Sequence, residues 1–215
     1  MQDQYYDQYW QHGGDTYSGR RQGYAPNFLR WMAEQLRSPD GAKRAQGLEA
    51  GCGDASFTEA LSAYFEKTYA IDISEAQILK NKERLPHVQF LAHDLSQPLP
   101  FPDGFFDCVW CSEVLEHLFD PLFALKQYFR VLRPKGKLMV TVPYHGRFKN
   151  VLIALFKWDH HFDPEYPHIR FFTKRTLEQL TRKAGFHDIA ISSCGMSRPV
   201  RDLFVPTNIL MVASK

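Results

Sequence analysis

No stretch of this sequence comes near the roughly 20 consecutive apolar residues that a membrane helix needs, so no transmembrane segment is expected. Peripheral contact with a membrane stays open. Charge of one sign is also lacking. Lys and Arg number 26 against 24 Asp and Glu, a net charge of +2, too small to grip nucleic acid or an anionic surface. Met1-Gln2-Asp3-Gln4 offers neither the basic nor the apolar residues of a signal peptide, and a cytoplasmic location is expected. Cysteine is scarce, at four residues, which excludes a disulfide scaffold. Cys108 and Cys111 have CxxC spacing but lie in the run Phe105-Phe106-Asp107-Cys108-Val109-Trp110-Cys111. On a strand that spacing puts them on opposite faces, poorly placed for a shared metal or disulfide. They read as small buried hydrophobes.

What is present suits one sizeable domain: 215 residues, 44% hydrophobic and 14% aromatic. The chain is organised around Leu48-Glu49-Ala50-Gly51-Cys52-Gly53-Asp54-Ala55-Ser56-Phe57. It reads as the end of a buried strand, a glycine turn and a helix start, whose face would carry Phe57, Ala60, Leu61, Tyr64 and Phe65. Gly51 and Gly53 permit a sharp bend and close approach of a ligand. That outline is a nucleotide-binding βα unit, with two departures from the dinucleotide fingerprint. Ser56 stands at the third glycine, and Glu49 would repel a pyrophosphate. A ligand with an ammonium nearby would not be repelled.

Residues 68–74 predict a second strand ending on an acid, Asp72, about 20 residues beyond the glycines, where a carboxylate meets ribose hydroxyls. Ser74 caps a helix over 75–84. Residues 88–92 form a short strand that ends at His93-Asp94-Leu95. The apolar run 105–111 suits a strand buried on both faces. Asp120-Pro121 starts a helix with Leu122, Leu125, Phe129 and Leu132 on one face. Pro134-Lys135-Gly136 turns into a fifth strand over 137–142, Thr173 caps a last helix, and residues 187–193 and 208–214 are the final strands.

The segment Glu49-Ala50-Gly51-Cys52-Gly53-Asp54-Ala55 resembles the first motif of the class I S-adenosylmethionine-dependent methyltransferases. Ser112-Glu113-Val114-Leu115-Glu116-His117-Leu118 resembles the family's segment after the fourth strand, and Leu132-Arg133-Pro134-Lys135-Gly136 its entry to the fifth. Ala55 departs from the pattern, since many members have glycine there. The resemblance covers residues 45–215. It implies a Rossmann-like doubly wound α/β sheet, mostly parallel with an antiparallel C-terminal strand and helices on both faces. It also implies S-adenosylmethionine as cofactor, held by Glu49, Gly51, Cys52, Gly53, Asp72, Ile73, Asp94, Leu95 and Cys111. Asp72 would take the ribose and Asp94-Leu95 the adenine.

Residues 1–44 are expected to form a helical cover segment, tyrosine-rich at its start, with Arg20 and Arg21 in reach of a methionyl carboxylate. Residues 143–172 form a substrate-side insert, too long for a plain connection and too aromatic for disorder. Together they are expected to close as a lid over a small-molecule acceptor. His145 is the first candidate base and His117 the second. His160, His161, Asp163 and His168 match no defined metal spacing, so no metal is expected. The segment after the fourth strand lacks the Asn/Asp-Pro-Pro-aromatic motif of base methyltransferases, and no basic patch appears, so nucleic acid is disfavoured. The expected reaction is O- or C-methylation of a sugar, lipid or phenolic acceptor. The alternatives are a non-catalytic cofactor-binding or partner module, or a protein methyltransferase. An NAD-dependent oxidoreductase is disfavoured by Glu49 and Ser56. Oligomeric state is not readable.

Overall fold

A computed structural model describes residues 23–162, 168–195 and 206–215. The tyrosine-rich start with Arg20 and Arg21, residues 163–167 with Asp163, and residues 196–205 lie outside the described residues, as does the side chain of His160.

The chain runs α1 (Ala25–Leu36), β1 (Arg44–Ala50), α2 (Ser56–Leu61), β2 (Phe65–Asp72), α3 (Glu75–Arg84), β3 (Gln89–Ala92) and β4 (Phe106–Ser112). It continues through α4 (Pro121–Val131), β5 (Leu132–Pro143), α5 (Arg147–Phe156), α6 (Trp158–His161), α7 (Lys174–Lys183), β6 (His187–Cys194) and β7 (Asn208–Ser214). Seven strands form one sheet in the order β3-β2-β1-β4-β5-β7-β6. All pairs are parallel except those of β7, which runs antiparallel to both β5 and β6. The order reverses between β1 and β4, and in an open α/β sheet the ligand crevice lies there, at the strand carboxyl ends.

Alternation along each strand sends neighbours to opposite layers. Cys108 and Trp110 pack with Phe28, Trp31, Met32 and Leu36 of α1 and Leu61 of α2. Val109 and Cys111 pack with Leu125 and Tyr128 of α4 and Leu177 of α7. The two cysteines therefore face opposite layers, as their spacing requires. Fully burying an aliphatic or aromatic side chain contributes about 1.5–3 kcal/mol, so α1, with Phe28, Met32 and Leu36 at 1% exposure or less, is firmly docked on the sheet. Local signals set the helix starts. Ser74, Asp120 and Thr173 each accept a backbone N–H three residues on. Gly185 ends α7 at φ 109°.

Three boundaries differ from those the sequence predicts. The helix after the glycine turn stops at Leu61, a 3₁₀ turn fills Ser62–Tyr64, and Phe65 opens β2 by pairing with Arg44. Sheet pairing outweighs the helical spacing of these residues. β2 ends at Asp72 because Ser74 leaves the sheet to cap α3. β5 starts at Leu132, and Pro134-Lys135-Gly136 is an irregularity within it, with Lys135 at φ 65° and a register shift between Phe106 and Cys108. No helix among the described residues is long and apolar enough to cross a membrane.

Candidate active site

The turn after β1 is built from its own backbone. The Gly51 and Cys52 N–H groups both donate to the Ile71 carbonyl, at 2.8 and 3.0 Å, and Ala55 N–H donates to the Cys52 carbonyl at 2.8 Å. Gly53 N–H donates to Asp72 Oδ2 at 2.8 Å. The chain passes three times into the left-handed region, at Gly51 (φ 79°), Gly53 (φ 47°) and Ala55 (φ 55°). Ala55 holds that conformation with its methyl fully buried, which explains why glycine suits this position. A Cβ on Gly51 would run into the Val114 side chain. The glycine is thus needed for the turn to pack against the segment after β4.

Three carboxylates gather on this turn. Glu49 is buried and accepts the Thr58 hydroxyl. Burial pushes its carboxyl up to about 8, and the charges of Asp54 and Asp72 push the same way, against the Thr58 bond. Asp72 takes Gly53 N–H on one oxygen and Ser74 N–H, at 3.0 Å, on the other. Asp54 accepts from Ser56 N–H at 3.0 Å and from its hydroxyl at 2.6 Å. The amides that would cradle a phosphate are engaged within the chain, and what faces them is acidic. Such a turn fits a ligand bringing an ammonium and hydroxyl donors, as S-adenosylmethionine does, and misfits a pyrophosphate.

The β3 end is tied to the same place, since His93 N–H donates to the Asp72 carbonyl at 2.8 Å. Asp94, half-buried, accepts from Ser96 N–H at 2.8 Å and its hydroxyl at 2.6 Å, which shapes the loop before buried Leu95. Ile73 is half-buried beside Asp72. Cys52 packs under the turn with Ala55, Ala70 and Ile78, and burial raises its thiol well above the ordinary range. Cys111 turns its thiol into the core, 3.6 Å from the Tyr128 hydroxyl, with burial lifting it to about 12. Its side chain is core, leaving only its main chain at the strand end to meet a ligand.

Beyond Val114 the character changes. Glu113 leaves β4 in the left-handed region, at φ 54°, a conformation a non-glycine residue keeps only where its surroundings enforce it. Its carboxylate accepts from Thr141 Oγ1 and Asn208 Nδ2, both at 2.9 Å. Desolvation lifts it to about 7. Lys149, which donates to the Tyr144 carbonyl at 3.0 Å, sits close enough to act on that charge. His145 is 5% exposed. Its ring lies 4.8 Å from Phe171 and 5.2 Å from His161. Burial first, then the charges of Lys149 and His161, lower it to about 4. His117 lies in the 3₁₀ turn Leu115–His117, its ring 4.8 Å from that of His168.

The insert is pinned at both ends. Tyr144 pairs with Phe172, and His145 N–H donates to the Phe172 carbonyl at 2.9 Å. The N–H groups of Ile169 and Arg170 donate to the Glu116 carbonyl at 2.9 and 3.0 Å. Between these anchors α5 buries only Ile153, while Phe148, Val151, Leu155 and Phe156 are exposed.

The fold therefore gathers Glu49, Gly51, Cys52, Gly53 and Asp72 on one turn, with Ile73, Asp94 and Leu95 just after β2 and β3, while His117 and His145 lie on the segments after β4 and β5. Sequence reasoning passed over Thr58, Asn81, Glu113, Lys149 and Asn208. Asn81, buried, donates to the Gly53 carbonyl at 2.7 Å, and a polar residue on the otherwise apolar Ile78–Leu85 face of α3 is a readable signal. Glu113 carries the signal that marked Asp72, an acid at a strand's carboxyl end.

A family model described as a methyltransferase domain matches residues 19–191. A Mycobacterium tuberculosis protein named "probable S-adenosylmethionine-dependent methyltransferase" is 32% identical over 152 residues, 69% of this chain and 50% of that protein. The chain thus spans about half the length of the first such relatives. A demethylmenaquinone methyltransferase of Staphylococcus haemolyticus is 33% identical over 185 residues, 76% of this chain and 77% of that one. Among solved structures, a chain of the complex between the Haloferax volcanii Trm112 methyltransferase activator and a "putative methyltransferase" superimposes with a TM-score of 0.76 at 20% identity, covering 97% of this chain and 96% of that one. With the fold, the acidic glycine turn and these likenesses in agreement, the chain belongs to the methyltransferase domain family, as a class I S-adenosylmethionine-dependent methyltransferase domain.

Proposed function

We propose that this domain transfers the methyl group of S-adenosylmethionine to a small-molecule acceptor, at oxygen or carbon. The observation that carries this reading is the junction at Val114. Its side chain packs on Gly51, so the cofactor turn directly adjoins Glu113, whose carboxyl accepts from Thr141 and Asn208 and is raised by desolvation from the ordinary carboxylate range toward neutral. A general base works best with a pKa near the operating pH.

The bound cofactor supplies an electrophilic methyl carbon on a sulfonium. Glu49 would meet its ammonium, which would restore the carboxylate charge. Asp72 would accept the ribose hydroxyls, Asp94 and Leu95 would flank the adenine, and Gly51, Cys52, Gly53 and Ile73 would line the path between. On the other side Glu113 would take the acceptor's proton. His145, neutral at pH 7, is a second proton acceptor, and His117 would orient the turn between. Residues 143–172 would cover the acceptor and exclude water. The likeness to demethylmenaquinone methyltransferases supports a phenolic or related ring acceptor.

Calorimetry with S-adenosylhomocysteine, paired with transfer of a labelled methyl group into candidate acceptors, tests this reading. Glu113→Gln is expected to cut turnover by about 10²–10⁴-fold, the range for general acid–base catalysis, while S-adenosylhomocysteine affinity stays near wild type. Failure of the wild-type chain to bind S-adenosylhomocysteine would overturn the reading.

A further inference from the structure

The carboxyl group of Glu116 is fully buried, and among the described residues neither of its oxygens has a hydrogen-bond partner. A buried polar group left unanswered is costly, and such groups in native proteins call for an explanation. Its surroundings supply one. Nε2 of His117 and Nε2 of His168 each lie 3.9 Å from the same atom, Glu116 Oε1. That is too far for hydrogen bonds. One donor atom from each of the three residues lies within 4.8 Å of the others. Atoms bound to one ion at about 2.0–2.2 Å stand about 3–3.5 Å apart. Small side-chain rotations close that gap.

We propose that Glu116, His117 and His168 form a binding site for a divalent first-row transition ion on the acceptor side of the crevice. Two imidazoles and a carboxylate are the donor set that suits zinc, iron, cobalt or manganese, whereas magnesium and calcium favour oxygen alone. Three ligands from protein leave coordination positions open, as catalytic sites do. The histidines are 19% and 17% exposed at their side chains, so the open positions are reachable from outside while Glu116 closes the site from within. The backbone holds the third ligand in place: the two residues after His168 both donate to the carbonyl of Glu116.

This site rests on the methyl-transfer reading and deepens it by naming the acceptor chemistry. A dication held by one carboxylate and two neutral imidazoles keeps one net positive charge. It would take an anionic oxygen, such as a phenolate or an enolate, and lower the pKa of the hydroxyl that gives rise to it. The acceptor O–H would give its proton to Glu113 or His145. For a phenolate, an oxygen electron pair then forms the bond to the methyl carbon. The carbon–sulfur pair stays on sulfur, leaving a methyl ether and the thioether S-adenosylhomocysteine.

The test uses the full chain, stripped with chelator and dialysed. Equilibrium dialysis against zinc, with elemental analysis, is expected to give one equivalent per chain. Cobalt is expected to give the visible absorption bands of a site of low coordination number. His168→Ala and Glu116→Gln are each expected to weaken zinc binding by more than the roughly 10–100-fold that loss of an outer partner costs, and His117→Ala/His168→Ala to abolish the cobalt bands. His187→Ala, at an exposed histidine on the far strand, is expected to bind as the wild type does. Circular dichroism confirms that each variant is folded. A wild-type chain holding no more zinc than the double variant overturns the proposal, as does an equal loss in His187→Ala. S-adenosylhomocysteine calorimetry on the same samples separates the two readings: cofactor binding without zinc sinks the metal site alone, and zinc binding without cofactor sinks the methyl-transfer reading.

Discussion

Around the carboxyl ends of β1 and β2, the polar groups that shape the turn are answered from within the chain. Gly51, Cys52, Gly53, Ser56 and Ser74 all place their N–H groups on carbonyls or carboxylates of the same turn or its neighbour. Around the ends of β4 and β5 the picture is different. Glu116 is buried and neither of its oxygens has a hydrogen-bond partner among the described residues, burial pushes His145 down, and α5 exposes its large apolar side chains. The first half is finished before any ligand arrives, which is what preorganised binding of an invariant cofactor requires. The second half includes one buried carboxylate, that of Glu116, with no hydrogen-bond partner among the described residues. One fold thus keeps its cofactor turn rigid and its acceptor side open to change.

The largest effect expected from breaking this contrast is at Gly51. Gly51→Val meets both a left-handed backbone and the Val114 side chain. Strain and overpacking each cost about 1–3 kcal/mol, so a urea denaturation midpoint should fall sharply and S-adenosylhomocysteine binding should vanish. Adding Val114→Ala should restore part of the stability, because it removes the clash and leaves the strained φ. Full recovery would show that the backbone conformation does not matter.

Next is the acid at the heart of the finished half. Glu49 carries its proton up to about 8 in the folded chain, against about 4.3 for an exposed glutamate. The folded state therefore holds a proton that the unfolded chain releases. The stability of the neutral form is complete below the unfolded value and is lost as pH rises toward 8. Between pH 5 and 8 the melting temperature should fall, by an amount corresponding to a few kcal/mol. Glu49→Gln should flatten that slope. Saturating S-adenosylmethionine should flatten it too, since its ammonium favours the charged form. A slope unchanged in Glu49→Gln would place the proton uptake elsewhere.

Asp72 comes third. Asp72→Asn keeps the shape and one acceptor but turns an amide donor toward the N–H of Gly53 or Ser74. Loss of a charge-assisted bond costs about 1.5–3 kcal/mol. Both stability and cofactor affinity should drop on that scale, because the same carboxylate holds the turn and awaits the ribose. If only affinity falls, the turn does not depend on Asp72.

The two halves were also unequally legible in the sequence. Gly51, Gly53 and Asp72 stand out because turn geometry and strand ends impose residue types at fixed spacing, and the fold class came with the resemblance that the glycine motif helps to carry. The antiparallel β7 came from the resemblance. What spacing could not convey were pairs formed across long sequence distances. Glu116 meets His168, and Glu113 meets Asn208, 95 positions later. Glu113 could be noticed as an acid at a strand's carboxyl end, but its pairing with Asn208 could not. His145 was found because it follows a strand, but its suppressed basicity depends first on its burial and then on the charges of Lys149 and His161. The shortfall at α2 has the opposite origin. Phe65 fits the helical face by spacing, and only its pairing with β1 assigns it to the sheet.

The smallest effect separates the halves most cleanly. In α5 only Ile153 is buried, while Leu155 is 67% and Phe156 is 74% exposed. Exposed positions away from special contacts change stability by about 0.5 kcal/mol or less. Leu155→Ser should therefore leave the denaturation midpoint and the S-adenosylhomocysteine affinity where they are. Phe28→Ala, in the core under the finished half, should cost about 3–5 kcal/mol. If Leu155→Ser instead destabilises by more than about 1 kcal/mol, its side chain is covered in solution. Repeating the denaturation at several protein concentrations then tells by what: a midpoint that rises with concentration in the wild type and not in the variant means a second copy of the chain, whereas a constant midpoint means the chain's own remaining residues. With no destabilisation, α5 contributes almost nothing to folding, and any change in turnover in Leu155→Ser belongs to the acceptor side alone.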